Sequence, residues 1–279
     1  MKIKVPSKLI ITLYVVTALF WVMFVVSTKY TGTLEGWKFD YLLKPFLLGM
    51  TLLPLIGGII GIKNAASWGG HKTVMGRSTL ALGLGMIAWA GGMVIWNYYL
   101  FFTTVSVPYP SVADAIFVLS WPLWTYGILQ LSKANGIKFA LRKMSKAIFL
   151  IPLLVILVSI YLLVFMARGG ITYDNPIKLF FDLFYPLGDI VILSVTASVY
   201  FALRKFLGGI YKTPTLILLF GFALNYFSDF LFSYTTTKGT YFNGHLADFL
   251  FTTTMFILSL GLSMITPDIL DLKNSGAIE

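Results

Sequence analysis

Eight stretches of this chain, at about 8–27, 41–62, 77–102, 110–132, 146–167, 178–203, 213–235 and 245–267, stay apolar over a length at which a helix crosses a lipid bilayer. A spanning helix takes about 20 such residues. Eight of them occupy most of a 279-residue chain, and the connections left over are too short for a separate globular domain. The composition agrees, with 58% hydrophobic and only 11% charged residues. The expected fold class is therefore all-α: a polytopic integral membrane protein with a single membrane domain over 1–267 and a short cytoplasmic tail over 268–279. A cytosolic enzyme is excluded, and so is a disulfide-stapled secreted domain, since there is no cysteine. The first apolar run follows Lys2, Lys4 and Lys8 like the start of a signal peptide. It is too long for one and has no small-residue cleavage pattern, so it reads as a retained helix.

Basic residues resist translocation and so set orientation. Fifteen of the 21 lysines and arginines fall in the N-terminal segment, the 63–77, 133–146 and 204–212 connections, and the tail. Lys29, Lys38, Arg168, Lys178 and Lys238 fall on the other side, with Lys44 just inside the second run. Both termini are thus expected in the cytoplasm of a cell-membrane protein, where the net charge of +10 also favours contact with anionic lipid. Dispersal of the basic residues over short loops argues against nucleic acid as a partner.

Segments 83–129 and 218–262 overlay as helical hairpins. In each, an apolar helix ends in aromatic residues, a loop follows, and Ala-Asp opens the next helix at Asp114 or Asp248. The spacing from Met93 to Asp114 differs by two residues from that between Asp229 and Asp248. This pattern suggests an internal repeat, with hairpins at 77–132 and 213–267.

An aspartate inside a membrane costs a few kcal/mol and needs a partner, a cavity or a function. Asp182 and Asp189 are seven residues apart, so they share a helix face with Tyr185 between them, and Pro186 removes a backbone hydrogen bond in the same stretch. Asp229 has Asn225 one turn deeper and Ser228 beside it. Asp114 and Asp248 stand at helix starts, where a carboxylate caps free N–H groups. Together with Asn97 and His245 these residues fall in the outer half of the bundle, where Trp96, Tyr98, Tyr185, Tyr226 and Tyr234 can wall a pocket. Such a pocket suits a cationic or hydroxylated guest. Oxygen ligands also suit calcium, sodium or manganese, although no metal-loop spacing is present and no cofactor is identified. His71 lies in an inside loop and reads as solvated. No zincin, nucleophile-elbow, phosphate-loop or dithiol pattern occurs. Glycines 57, 58, 61, 83, 85, 91 and 92 read as close helix packing.

The motifs PYPSVAD (108–114), FDLFYPLGD (181–189) and SDFLFSY (228–234) with GHLAD (244–248) resemble the N-terminal eight-helix sensory membrane module of bacterial diguanylate cyclases and histidine kinases. The resemblance covers about 80–267 and implies a receptor. It departs from the family at Met93, where an Asp is common, and no GGDEF, kinase or EAL sequence follows. A fainter similarity, through Lys44-Pro45 and Ser228-Asp229, is to the lysoplasmalogenase family of eight-helix membrane hydrolases.

The resulting expectation is a stand-alone ligand-binding sensor that reports to a separate cytoplasmic partner. Its pocket is formed by Asp182, Asp189, Asp229, Asn225, Tyr185, Trp96, Asn97, Asp114, His245 and Asp248, and receives a small molecule or a lipid. A lipid hydrolase and a cation-coupled transporter are the alternatives.

Overall fold

A computed structural model of the chain describes residues 5–31, 36–103, 107–137, 150–170, 175–203 and 211–267. The expected tail 268–279, most of the basic 133–146 connection and the 204–210 stretch lie outside the described residues. Within them the chain is helical, with no strand.

Among the described residues, eight helices are long and apolar enough to cross a membrane. They are α1 (Val5–Thr31), α2 (Gly36–Ser67), α3 (Val74–Phe102), α4 (Val112–Ala134), α5 (Leu150–Ala167), α6 (Pro176–Leu203), α7 (Lys212–Thr237) and α8 (Leu246–Met264). Their bounds fall within a few residues of the apolar runs. In α2 the turn Phe39–Leu43 is wound as a π-helix, and so is the second half of α5, Ile160–Ala167. Helix α4 is interrupted after Phe117 and resumes at Ser120.

Local chemistry marks the ends. Gly69 and Gly70 take positive φ angles of 84° and 61°, which turns the chain between α2 and α3 at a place where a side chain would be strained. Thr73 then caps α3, its hydroxyl accepting the Gly76 N–H at 2.9 Å. His71 is exposed in this turn. Sequential helices pack closely, α2 on α3, α3 on α4 and α7 on α8, and α8 returns to lie on α2. Small residues permit this. A Cβ on Gly58 would stand 2.8 Å from the Gly83 carbonyl oxygen, and one on Gly83 would meet the Gly58 oxygen at 2.9 Å. The α2 and α3 backbones are therefore in contact.

The larger of two apolar clusters among the described residues runs through the bundle, with Trp121, Trp124, Phe46, Phe222 and Met86 almost completely enclosed. Its perimeter is apolar as well. Leu9, Leu19, Leu154, Leu157, Tyr161 and Phe165 are among the large side chains left exposed on α1 and α5, the two candidate spans least buried in the bundle.

Candidate functional site

A cavity of about 620 Å³ opens at the end of the bundle that carries the α3–α4, α5–α6 and α7–α8 connections. Asp114, Asp182, Asp189, Asp229 and Asp248 all line it, delivered by α4, α6, α7 and α8. Tyr185 and Trp96 are also in its wall. Asn97, Asn225 and His245 are not among its lining residues, nor are Tyr98, Tyr226 and Tyr234.

The acids fall into three chemical situations. Asp114 and Asp248 are capping residues with an additional tyrosine each. One Asp114 oxygen accepts the N–H and hydroxyl of Ser111 at 2.7 and 2.8 Å, and the other accepts the Tyr185 hydroxyl at 2.8 Å. Asp248 likewise accepts the Gly244 N–H at 2.7 Å on one oxygen and the Tyr241 hydroxyl at 3.0 Å on the other. Both carboxylates are satisfied at helix starts, where backbone N–H groups favour negative charge. Burial of Tyr241, with the Asp248 charge and hydrogen bond, pushes its phenol well above the usual range.

Asp182 lies where the α3–α4 loop meets both ends of the α5–α6 connection. Arg168 Nη1 stands 2.8 Å from its Oδ1, the Tyr109 hydroxyl donates to the same oxygen at 2.7 Å, and Lys178 Nζ is 3.7 Å from Oδ2. Two cations share one carboxylate here. Desolvation of the Tyr109 hydroxyl and its bond to Asp182 raise that phenol too. Pro186 lines the cavity one turn further on, where the missing N–H leaves the Asp182 carbonyl without its helical donor.

Asp189 and Asp229 form the third group, deep between α6 and α7, and are 3% and 8% exposed. Asp189 Oδ1 accepts the indole N–H of Trp121 at 2.9 Å. Asp229 Oδ2 accepts the Asn225 amide at 2.6 Å, so Asn225 supports the acid from behind. The two carboxyl groups are neighbours, one on α6 and one on α7, and both line the cavity.

Other expected residues have structural positions. Asn97 ties α3 to α2, donating to Thr51 Oγ1 at 2.8 Å and to the Leu47 carbonyl at 3.3 Å. His245 caps α8, its Nδ1 accepting the Ala247 N–H at 3.1 Å. Partial burial lowers its pKa from 6.5, in keeping with an acceptor nitrogen. Tyr226 packs with Leu163 and Ile190 in a smaller cluster.

Several wall residues carry no sequence signal of their own. Arg168 and Lys178 count toward topology, while Tyr109, Tyr241, Trp89 and Asn243 sit in loops or among core aromatics. The Trp89 indole N–H and the Asn243 amide oxygen are buried without a hydrogen-bond partner among the described residues. Both line the cavity. Buried polar atoms are seldom left unpaired, so these two are potential contacts for a polar guest. Among the described residues no group of three or more histidines and acids converges as a metal site.

Compared with protein-family models, curated proteins and solved structures, the chain matches none.

Proposed function

We propose that this is a multi-pass membrane protein with both termini in the cytoplasm, whose cavity faces the opposite side and receives a small ligand. The apolar perimeter supports a lipid surrounding, and the excess of basic residues in alternate connections supports the orientation. The observation that carries the reading is the convergence of five aspartates from four helices on one cavity. Two of those carboxylates serve as caps. Asp189 and Asp229 are not helix caps; each accepts from one side chain, Trp121 and Asn225, and they offer acceptors beside apolar and aromatic walls, a combination that fits a ligand with hydroxyl or cationic groups.

Reception is reported to a separate partner. Pro186 weakens α6 between Asp182 and Asp189, so a guest that touches both biases that helix between two packings. The fold expected from the sensory-module resemblance and the like capping of Asp114 and Asp248 are consistent with repeated hairpins. Native mass spectrometry of gently purified protein tests the reading. A small molecule retained by the wild type and lost from Asp189→Asn/Asp229→Asn is expected; equal retention by the variant sinks it.

A second reading has one specific observation in its favour. Two neighbouring carboxyls on one cavity wall can provide a general acid and a general base side by side, the arrangement that activates water for hydrolysis. A lipid hydrolase would use Asp189 and Asp229 in this way. Incubation of the pure protein with mixed lysolipids tests it, and absence of any product removes it.

A further inference from the structure

We infer that the ligand is a neutral polyol with one apolar face, the chemistry of a sugar ring, free or carried as the head of a glycolipid. The inference rests on the reception reading, which leaves a hydroxylated and a cationic guest open, and adds the class of molecule received.

Six helices form a ring around the cavity, each packed on the next in the order α2, α3, α4, α6, α7, α8 and back to α2. The pair α2–α3 therefore stands across the cavity from α6–α7, and the two sides differ in chemistry. Helices α2 and α3 line it with Leu47, Met50, Met93 and Leu100 and with two indoles, Trp89 and Trp96. Helices α6 and α7 bring three carboxylates, Asp182, Asp189 and Asp229, and the hydroxyls of Ser233, Thr236 and Thr237. Trp89 and Trp96 are seven residues apart on α3, as are Asp182 and Asp189 on α6, a length of about 10 Å each at a rise of about 1.5 Å per residue. A guest lying between these walls has an apolar side and a polar side over the same length.

Unpaired polar atoms decide between the two kinds of guest. The Trp89 indole N–H is a donor and the Asn243 side-chain oxygen an acceptor; both residues line the cavity, and these atoms are buried without a partner among the described residues. Trp89 is 5% exposed, and its ring centroid lies 6.0 Å from that of Trp121, whose own N–H is on Asp189. A donor in want of an acceptor thus stands one ring away from carboxyl groups that take donors. An ammonium has donors only and leaves the Trp89 N–H unpaired. A carboxylate or phosphate has acceptors only and meets the aspartates with like charge. A hydroxyl both donates and accepts, and adjacent hydroxyls on one ring serve the indole and the carboxyl groups together.

Trp96 supplies the surface for the apolar face. The rings of Phe117 and Phe251 pack on Trp89, with centroids at 4.9 and 5.3 Å, and Tyr185 lies on Trp121. No ring packs on Trp96 among the described residues, and it is only partly buried. An indole face is electron-rich and attracts the partly positive C–H groups on the apolar side of a sugar ring. The cavity volume of about 620 Å³ is ordinary for a small guest and admits such a ring.

The test is thermal stabilisation of the full chain in lipid nanodiscs prepared without glycoside detergent, titrated with glucose, galactose, maltose and trehalose. Hexyl glucoside is the glycolipid arm, and choline and N-acetylalaninamide are the cationic and amide arms. Saturable stabilisation by a free sugar or by hexyl glucoside is expected, and a response to hexyl glucoside alone assigns the lipid head. Trp89→Phe, which keeps a ring and removes the N–H, and Trp96→Leu, which removes the stacking face, should each weaken that response by about threefold to tenfold. Trp96 is the less buried of the two, so its variant serves should Trp89→Phe unfold. No response to any sugar or glycoside, stabilisation by choline or the amide alone, or a sugar response unchanged in both variants overturns the inference. Retention in the native mass spectrum of a molecule without hydroxyls, lost from Asp189→Asn/Asp229→Asn, would overturn it while leaving reception intact.

Discussion

The Trp121 indole nitrogen stands 2.9 Å from Asp189 on the neighbouring helix, and Gly188 is the residue that lets the ring lie there. A Cβ at 188 would overlap the Trp121 ring. The Gly-Asp pair on α6 thus works as one unit, the glycine admitting the donor and the aspartate receiving it.

Trp121→Phe keeps most of the ring and removes the N–H, leaving a buried carboxyl short of a donor. A loss of about 1–3 kcal/mol is expected. Gly188→Ala should disturb the same contact by displacing the ring, with a larger drop in melting temperature. Denaturant unfolding of the two variants in detergent checks both, and a neutral Gly188→Ala would contradict the packing.

The capping acids are separable from the deep pair. Asp114→Ala and Asp248→Ala should each lose about 0.5–2 kcal/mol, the range for an N-terminal cap. Tyr241→Phe combined with Asp248→Asn should lose less than the two single changes added together, because they share one hydrogen bond. A double-mutant cycle measures this, and strict additivity would show that the bond contributes nothing.

His245 predicts a pH effect with a definite sign. Its pKa in the folded chain lies below 6.5, so on acidification the unfolded chain takes up a proton first. The stability associated with neutral His245 is present above about pH 6.5 and is lost as pH falls through the folded pKa. A protonated Nδ1 also no longer accepts the Ala247 N–H. His245→Asn retains a capping side chain without the titration, so its melting temperature should fall less than that of the wild type between about pH 8 and about pH 5. Parallel curves would remove the cap from the explanation.

The chain has no cysteine, so a single introduced thiol reports the side it occupies. Lys238→Cys, between α7 and α8, should react with a membrane-impermeant maleimide on intact cells. Lys72→Cys, between α2 and α3, should react only after permeabilisation. The reverse pattern would invert the proposed orientation.

The helices were legible because a length of about 20 apolar residues is a strong signal on its own. The pairing of Asp182 with Asp189 on one face was legible too, since a seven-residue interval returns to the same side of a helix. Which face turns toward the cavity was less so. Asn97 lies one residue after Trp96, yet Trp96 lines the cavity and Asn97 holds α3 to α2. Such a difference of about 100° depends on neighbouring helices that a linear pattern does not order. Arg168 and Lys178 were counted as topology because loop charges normally are. Their convergence on Asp182 requires the folded connection between α5 and α6. Tyr109 reaches the same acid from another loop, a contact across 73 positions that no local motif announces.

The cation at the mouth is carried by the end of α5, a helix that packs chiefly on α6 and α7 and is among the least buried. The inner carboxylates sit between helices enclosed on more sides. The two ends of the cavity therefore have unequal stiffness: a lateral or tilting displacement of the peripheral helix changes the reach of the guanidinium, while the acids behind it stay in place. Under the proposed membrane reading, bilayer thickness and lateral pressure would act first on such a peripheral element, and the distance from the guanidinium to the deep carboxyls would follow the mechanical state of the lipid.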